Sequence, residues 1–139
     1  MRMIVTRVLL TLSGLILGCI GSALLLAPVS FLTMSEISVE PDPSLLSEIA
    51  APAGILLIGG GFMIFGAANL RFSDPALAIG ALVFGSYGAG RTVAMALHGY
   101  PSPSLITATL IELAIAAALA GLRLASTGRH RSATVALGT

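Results

Sequence analysis

Two charged residues, Arg91 and Glu112, interrupt stretches of sequence that are otherwise continuously apolar. A charge in such a stretch costs about 2.5–3.5 kcal/mol on membrane-insertion scales, so each residue needs a partner, and the other is the nearest candidate. A paired guanidinium and carboxylate can act as a structural ion pair that fixes the register of two helices. The same pair can instead form a site for a ligand or a proton, since ionisable residues inside membranes often mark such sites.

Two hydroxyl groups and a histidine lie near this pair along the chain. Tyr87 precedes Arg91 by four residues and Thr109 precedes Glu112 by three, and these spacings place each hydroxyl on the same helix face as the charged residue. We expect both hydroxyls to donate hydrogen bonds to a carboxylate. His98 is expected at the outward end of the segment that carries Arg91, either as a member of the cluster or simply as a helix-end residue.

Glu48 and Pro52 form a second polar feature. Pro43 is expected to open a helix with Asp42 as its N-cap, which places Pro52 inside that helix and predicts a kink. Because proline has no N–H, the carbonyl group of Glu48 loses its helical partner. Arg91 is long enough to reach Glu48, and we hypothesise that one of the two glutamates then holds a proton at neutral pH. The predicted cluster consists of Glu48, Tyr87, Arg91, His98 and Glu112.

The elements that position these residues follow from the composition. The chain has 139 residues, of which 56% are hydrophobic and 9% charged, with a mean hydropathy of +1.01, whereas a soluble domain carries about 25% charged residues. The long apolar segments of such a chain cross a bilayer as helices, because lipid cannot form hydrogen bonds with the N–H and C=O groups of an unpaired backbone. The sequence therefore predicts an all-α membrane protein, a bundle of four transmembrane helices in residues 1–125, followed by a short basic tail in residues 126–139. The predicted spans are 4–27, 49–70, 76–97 and 105–125.

The first span has a basic start and small residues near Gly21, so a cleaved signal peptide is its alternative interpretation. Its apolar run is longer than an ordinary signal sequence, and we expect a retained helix. Basic residues gather at one set of segment ends and acidic residues at the other, with Asp74 as the exception. The positive-inside rule then predicts that both termini are cytoplasmic. All seven basic residues are arginine, a bias typical of GC-rich bacterial genomes, and we expect the protein in the bacterial inner membrane. The basic set is Arg2, Arg7, Arg71, Arg123, Arg129 and Arg131, and the acidic set is Glu36, Glu40, Asp42 and Glu48.

The outward loop between the first two spans is too apolar for a free linker. We expect it to lie on the membrane surface and to cover the mouth of the bundle, either as a lid over a site or as a surface for a partner. Small residues at four-residue spacing predict close helix packing or an oligomer contact. The triple glycine 59–61 predicts either close packing or a partly unwound point. The apolar loop residues are Phe31, Leu32, Met34, Ile37 and Val39.

The sequence lacks the residues that several kinds of chemistry require. The single Cys19 cannot form a disulfide within the chain, and no spacing of histidine, cysteine and glutamate suits a metal. No nucleophile and base can be assembled into a catalytic pair, and the formal charge of +1 gives no basic footprint for nucleic acid. We therefore expect no catalytic residue, no metal, no cofactor and no enzymatic activity.

The polar runs resemble those of a bacterial membrane family known only as domain of unknown function 4345. The runs are EIAAPAG from residue 48, YGAGR from residue 87 and HGYPSP from residue 98, together with Glu112. The resemblance covers most of the chain, from the first span to Arg123, and implies a four-helix integral membrane fold without an established activity. His98 stands where members often have an acidic residue. The matching positions are Glu48, Pro52, Gly54, Arg91, Pro101 and Glu112.

Two functions remain open at this point. The first is a structural or accessory component of a membrane assembly, acting with membrane lipids and with other membrane subunits or as a homo-oligomer. The second is a small carrier or binding protein for a lipid, a quinone or a small anion, which would use the Arg91 and Glu112 cluster. A cavity that reaches Arg91 favours binding, whereas a filled bundle favours the structural role.

Overall fold

In the computed structural model, the described residues include four helices that are long and apolar enough to cross a membrane. The structure describes the backbone of residues 1–137 and the side chains of residues 1–126. The prediction of an all-helical protein with four spans is confirmed. The last helix continues beyond the predicted boundary at residue 125, and the side chains of the predicted basic tail from residue 127 onward lie outside the described residues. The helices are α1 (Arg2–Leu26), α2 (Pro28–Thr33), α3 (Pro43–Ala68), α4 (Ser73–His98) and α5 (Pro103–Leu137).

Local sequence signals set the helix ends. The Asp42 carboxylate accepts hydrogen bonds from the backbone N–H groups of Ser44 and Leu45, each at 3.0 Å, so the predicted N-cap of α3 is confirmed. At the end of α4, Gly99 adopts a φ of 93°, a conformation that glycine enters without a steric penalty. Pro52 lies inside α3, and the helix continues on both sides of it.

The bundle consists of two closely packed helix pairs. α1 packs chiefly against α3 and α4 chiefly against α5, while α3 and α4 join the pairs and α1 touches α5 only weakly. Gly14 and Gly60 bring the backbones of α1 and α3 together, since a Cβ atom added at Gly60 would lie 2.6 Å from the Gly14 carbonyl oxygen. The triple glycine therefore serves close packing at Gly60, within a continuous helix, and not an unwound point.

Buried apolar side chains fill the middle of the bundle, and many large apolar side chains remain exposed on its outside, as a lipid-facing surface requires. The end of the bundle at the α3–α4 connection is tightly closed. A short 3-10 turn, Leu70–Phe72, makes this connection, and the Ser73 hydroxyl donates to the Gly66 carbonyl at 2.8 Å. The rings of Phe62, Phe65 and Phe72 pack together there, with centroids 5.1–6.5 Å apart.

The opposite end carries the long connection between α1 and α3, which we call the cap segment (residues 28–42). It begins with the short helix α2 and then runs without regular structure to Asp42. Glu36 has a φ of 64° and turns the chain back across the bundle. The Ser102 hydroxyl, in the α4–α5 connection, donates to the Ser35 carbonyl at 3.1 Å and so ties the cap segment to the other helix pair.

Candidate functional site

The Arg91 and Glu112 side chains form an ion pair between α4 and α5. The Arg91 Nε lies 3.3 Å from the Glu112 Oε2, and the side chains are 34% and 12% exposed. Both residues lie a few turns from the α4–α5 connection, on helices that run in opposite directions, so they reach the same depth. The structure thus brings together Arg91 and Glu112, as their positions in the sequence predict.

The hydrogen bonding of this pair is incomplete. Among the described residues, Glu112 Oε2 is buried and has no hydrogen-bond partner, because its contact with Arg91 lacks hydrogen-bond alignment. An arginine has five N–H donors, and within residues 1–126 no acceptor is recorded for those of Arg91. A buried polar atom without a partner is costly, of order 1–3 kcal/mol. The pair therefore retains unused capacity to bind another polar group.

A partly enclosed cavity of about 290 Å³ adjoins the pair, and we call it the capped cavity. All four long helices contribute to its walls, which are apolar except for Tyr87, Arg91, Glu112 and two serines. The polar groups of Arg91 and Glu112 come from α4 and α5, and residues such as Leu17 and Leu56 bring apolar surface from α1 and α3. This combination of apolar walls with a few polar groups is typical of small-molecule sites.

The cap segment forms the roof of this cavity. Phe31, Leu32, Ser35 and Ile37 all line it, which explains why this loop is rich in apolar residues. The structure places the segment over the bundle mouth, in the position that a lid would occupy. The connection of Ser102 to Ser35 holds this roof in place.

Arg91 also lines a second space. A surface groove of about 370 Å³ is lined by Arg91, His98, Tyr100 and Leu105, among others. His98 is exposed and lines this groove, but it does not line the capped cavity. Arg91 therefore lines both the partly enclosed capped cavity and an open groove at the same end of the bundle.

Two other predicted members of the cluster are placed differently from the expectation. Glu48 is exposed, makes no ion pair with the described residues and does not line the capped cavity, since α3 packs chiefly against α1 and less against α4. The expected convergence of Glu48 on Arg91 is therefore absent. Thr109 is buried, but its hydroxyl donates to the Leu105 carbonyl of its own helix at 2.9 Å. It is thus not a donor to Glu112.

Tyr87 does line the capped cavity beside the ion pair, and its hydroxyl has no hydrogen bond to the described residues. Pro52 lies about one helical turn beyond Glu48 and away from the capped cavity. Sequence reasoning missed Ser35 and Ser104, the two serines of the cavity lining. Serines in loops and first helical turns are so common that nothing in the sequence marks these two.

The fold and the apolar helices define a multi-pass membrane protein with four spans. The family model for DUF4345, a domain of unknown function, matches residues 5–122, and the chain belongs to this family. The searches of curated proteins and of solved structures found no match. Family membership agrees with the resemblance stated above and brings no activity, so the function has to be argued from the site.

Proposed function

We propose that this protein is a binding protein for a small amphipathic molecule, such as a lipid or a quinone, in the inner membrane of a bacterium. One observation carries the proposal: the capped cavity combines apolar walls with an ion pair whose hydrogen-bonding groups are unused. An apolar ligand body would fit the walls, and its polar head would complete the hydrogen bonds of Arg91 and Glu112. No catalytic step is part of the proposal.

The orientation of the protein belongs to the same proposal. Arg2, Arg7 and Arg71 lie at the end opposite the cap segment, so the positive-inside rule supports cytoplasmic termini and a cap segment on the outer side. In this orientation the capped cavity lies toward the outer leaflet. Its ligand would reach it from that leaflet or from the outer membrane surface.

A second candidate function, an accessory subunit of a membrane assembly, is favoured by a different feature. A wholly apolar surface groove of about 620 Å³ runs between α1 and α5, with Val8 and Leu12 on one side and Ala117 and Gly121 on the other. The weak contact between α1 and α5 leaves this groove open along the bundle. A helix of another membrane subunit or of a second copy would fit it, and so would lipid chains. In this role the Arg91–Glu112 pair would only hold α4 and α5 together.

A co-purification experiment with matched variants tests the binding function. Ala108 lines the capped cavity, whereas Ala114 lies on the exposed side of the same helix. Ala108→Phe should fill the cavity, and Ala114→Phe should not. We expect wild type and Ala114→Phe to purify in detergent with a small amphipathic molecule that mass spectrometry identifies, and Ala108→Phe to lose at least about tenfold of it. Equal amounts in both variants, at equal helical content by circular dichroism, would contradict the proposal.

A further inference from the structure

The charges that line the capped cavity cancel each other. Within the described residues, Arg91 and Glu112 are the charged groups of its lining, one of each sign. An anionic head placed there would add a second negative charge beside the Glu112 carboxylate. An unpaired charge in an environment shielded from water is strongly unfavourable. The charge balance therefore favours an uncharged head group.

The hydrogen-bonding groups of the cavity indicate what this head must carry. Arg91 and Tyr87 offer N–H and O–H donors, and the Glu112 carboxylate, whose side chain is 12% exposed, offers acceptors. A carbonyl group, an ether or an ester can only accept, so it would give the Glu112 carboxylate no hydrogen-bond donor. A hydroxyl group both donates and accepts. It can donate to Glu112 while its oxygen accepts from Arg91 or Tyr87.

The size and lining of the cavity restrict the body of the ligand. Its volume of about 290 Å³ lies at the lower limit of ordinary ligand pockets, about 300–1,000 Å³, which leaves room for one ring or one short chain and not for an enclosed diacyl lipid. Phe31 of the cap segment and Phe84 of α4 both line it. Aromatic side chains pack well against a flat ring in offset or edge-on geometry.

We propose that the capped cavity binds the hydroxylated ring of an alkyl phenol or hydroquinone, with its O–H donating to Glu112 and its oxygen accepting from Arg91. This inference rests on the binding function proposed above and narrows its ligand to a hydroxylated ring, in place of a diacyl lipid or an oxidised quinone. The alkyl tail of such a molecule would leave the ring along apolar wall residues such as Leu17 and Ile20. The inference concerns binding alone and involves no transfer of electrons or protons.

Three labelled probes with the same short alkyl tail test this inference on the wild-type protein in lipid nanodiscs. The probes are an alkyl hydroquinone, its dimethyl ether and the corresponding fatty acid. We expect the hydroquinone to bind about tenfold more tightly than the ether, because the ether cannot donate to the Glu112 carboxylate. The fatty acid should also bind more weakly than the hydroquinone, because its charge is not balanced in the cavity.

A variant of Glu112 distinguishes a role of this residue in ligand selection from a purely structural role. Glu112→Gln removes the negative charge and leaves Arg91 as the unbalanced group, so the preference should reverse and the fatty acid should bind more tightly than the hydroquinone. A purely structural role of the ion pair predicts weaker binding of every probe without this reversal. Glu40→Gln, in the exposed part of the cap segment, is the matched control and should keep the wild-type order.

The outcomes separate the ligand class from the binding function. If the ether or the fatty acid binds wild type as tightly as the hydroquinone does, and Ala108→Phe abolishes that binding, the ligand class is overturned while the binding function stands. If no probe binds wild type, the ligand class is overturned, and the co-purification experiment decides the binding function by itself. The comparison of probes on wild type holds even if Glu112→Gln fails to fold.

Discussion

Among residues 1–126, two ion pairs join α4 to α5, one toward each end of the bundle, and their surroundings differ. Arg91 Nε lies 3.3 Å from Glu112 Oε2 at the cap end, and Arg123 Nε lies 3.4 Å from Asp74 Oδ2 at the other end. The first pair is sheltered on its glutamate side, where the side chain is 12% exposed, whereas both side chains of the second are 46% exposed. Nearly equal distances thus occur in unequal environments.

The packing around the two pairs differs as well. The Arg123 end is closed by the aromatic contacts of Phe62, Phe65 and Phe72 and by the short 3-10 turn. The Arg91 end holds the capped cavity under a roof formed by the cap segment. An exposed pair contributes about 0–1 kcal/mol, whereas removing one partner of a sheltered pair leaves a charge without compensation. One carboxylate oxygen in each pair, Glu112 Oε2 and Asp74 Oδ1, is buried without a hydrogen-bond partner among the described residues. The Glu112 pair differs because it lines the capped cavity, and it therefore has both structural and binding consequences.

The largest effect is expected from removing one charge at the cap end. Arg91→Leu leaves the sheltered Glu112 carboxylate without a counter-charge and should lower the free energy of unfolding by about 3 kcal/mol. The double variant Arg91→Leu/Glu112→Leu should lose less, since no charge remains unpaired. Denaturation by sodium dodecyl sulfate in mixed micelles, followed by circular dichroism, measures the free energy of unfolding of both variants. Equal losses in the single and double variants would show that the charge itself is unimportant.

A smaller effect is expected from loosening the roof. Ser102→Ala removes the hydrogen bond to the Ser35 carbonyl and should lower stability by about 1 kcal/mol. Hydrogen exchange of the backbone amides in residues 31–37 should become faster in this variant. The control is Ser104→Ala, because the Ser104 hydroxyl contacts Ser102 and does not contact the Ser35 carbonyl. Unchanged exchange in Ser102→Ala would mean that apolar contacts alone hold the cap segment.

The smallest effect is expected at the opposite end. Asp74→Asn removes the charge of an exposed pair and should lower stability by less than about 1 kcal/mol. Added salt should reduce this difference further, because mobile ions weaken the attraction between exposed charges more than that between sheltered charges. The effect of Glu112→Gln on stability should depend much less on salt. If the stability changes in Asp74→Asn and Glu112→Gln depended equally on salt, the two ion pairs would not differ in their shelter from solvent.

Much of the fold follows from the sequence, since a long apolar run in a membrane pairs all of its backbone hydrogen-bonding groups by forming a helix. The predicted spans are shorter than the helices at the polar first turn of α3, which starts at Pro43 behind the Asp42 cap, and at the end of α5, which continues to Leu137. The meeting of Arg91 with Glu112 was also within reach of the sequence. Both residues lie at similar distances from one short connection, and this spacing fixes their depth in the bundle.

The positions of the other predicted site residues depend on how each helix is rotated about its axis and on how the helices pack. The spacing of residues along the chain does not determine either of these. Glu48 has a suitable depth for the cluster but belongs to a helix that packs mainly on α1. Thr109 shares a face with Glu112, yet its hydroxyl bonds to the carbonyl one turn earlier, as threonines in helices often do. The capped cavity arises from the fit of four helices and a loop, so no single segment predicts it.

The contact between Gly14 and Gly60 has a mechanical consequence for any molecule that enters the bundle. Because the backbones of α1 and α3 already touch there, this side of the protein cannot be compressed further to accommodate a guest. Expansion has to come from the roof of the capped cavity, because the Ser102 hydroxyl provides a single side-chain hydrogen bond from the α4–α5 connection to the cap segment. The α1–α3 side of the cavity is thus a fixed wall, and the cap segment is the part that adjusts.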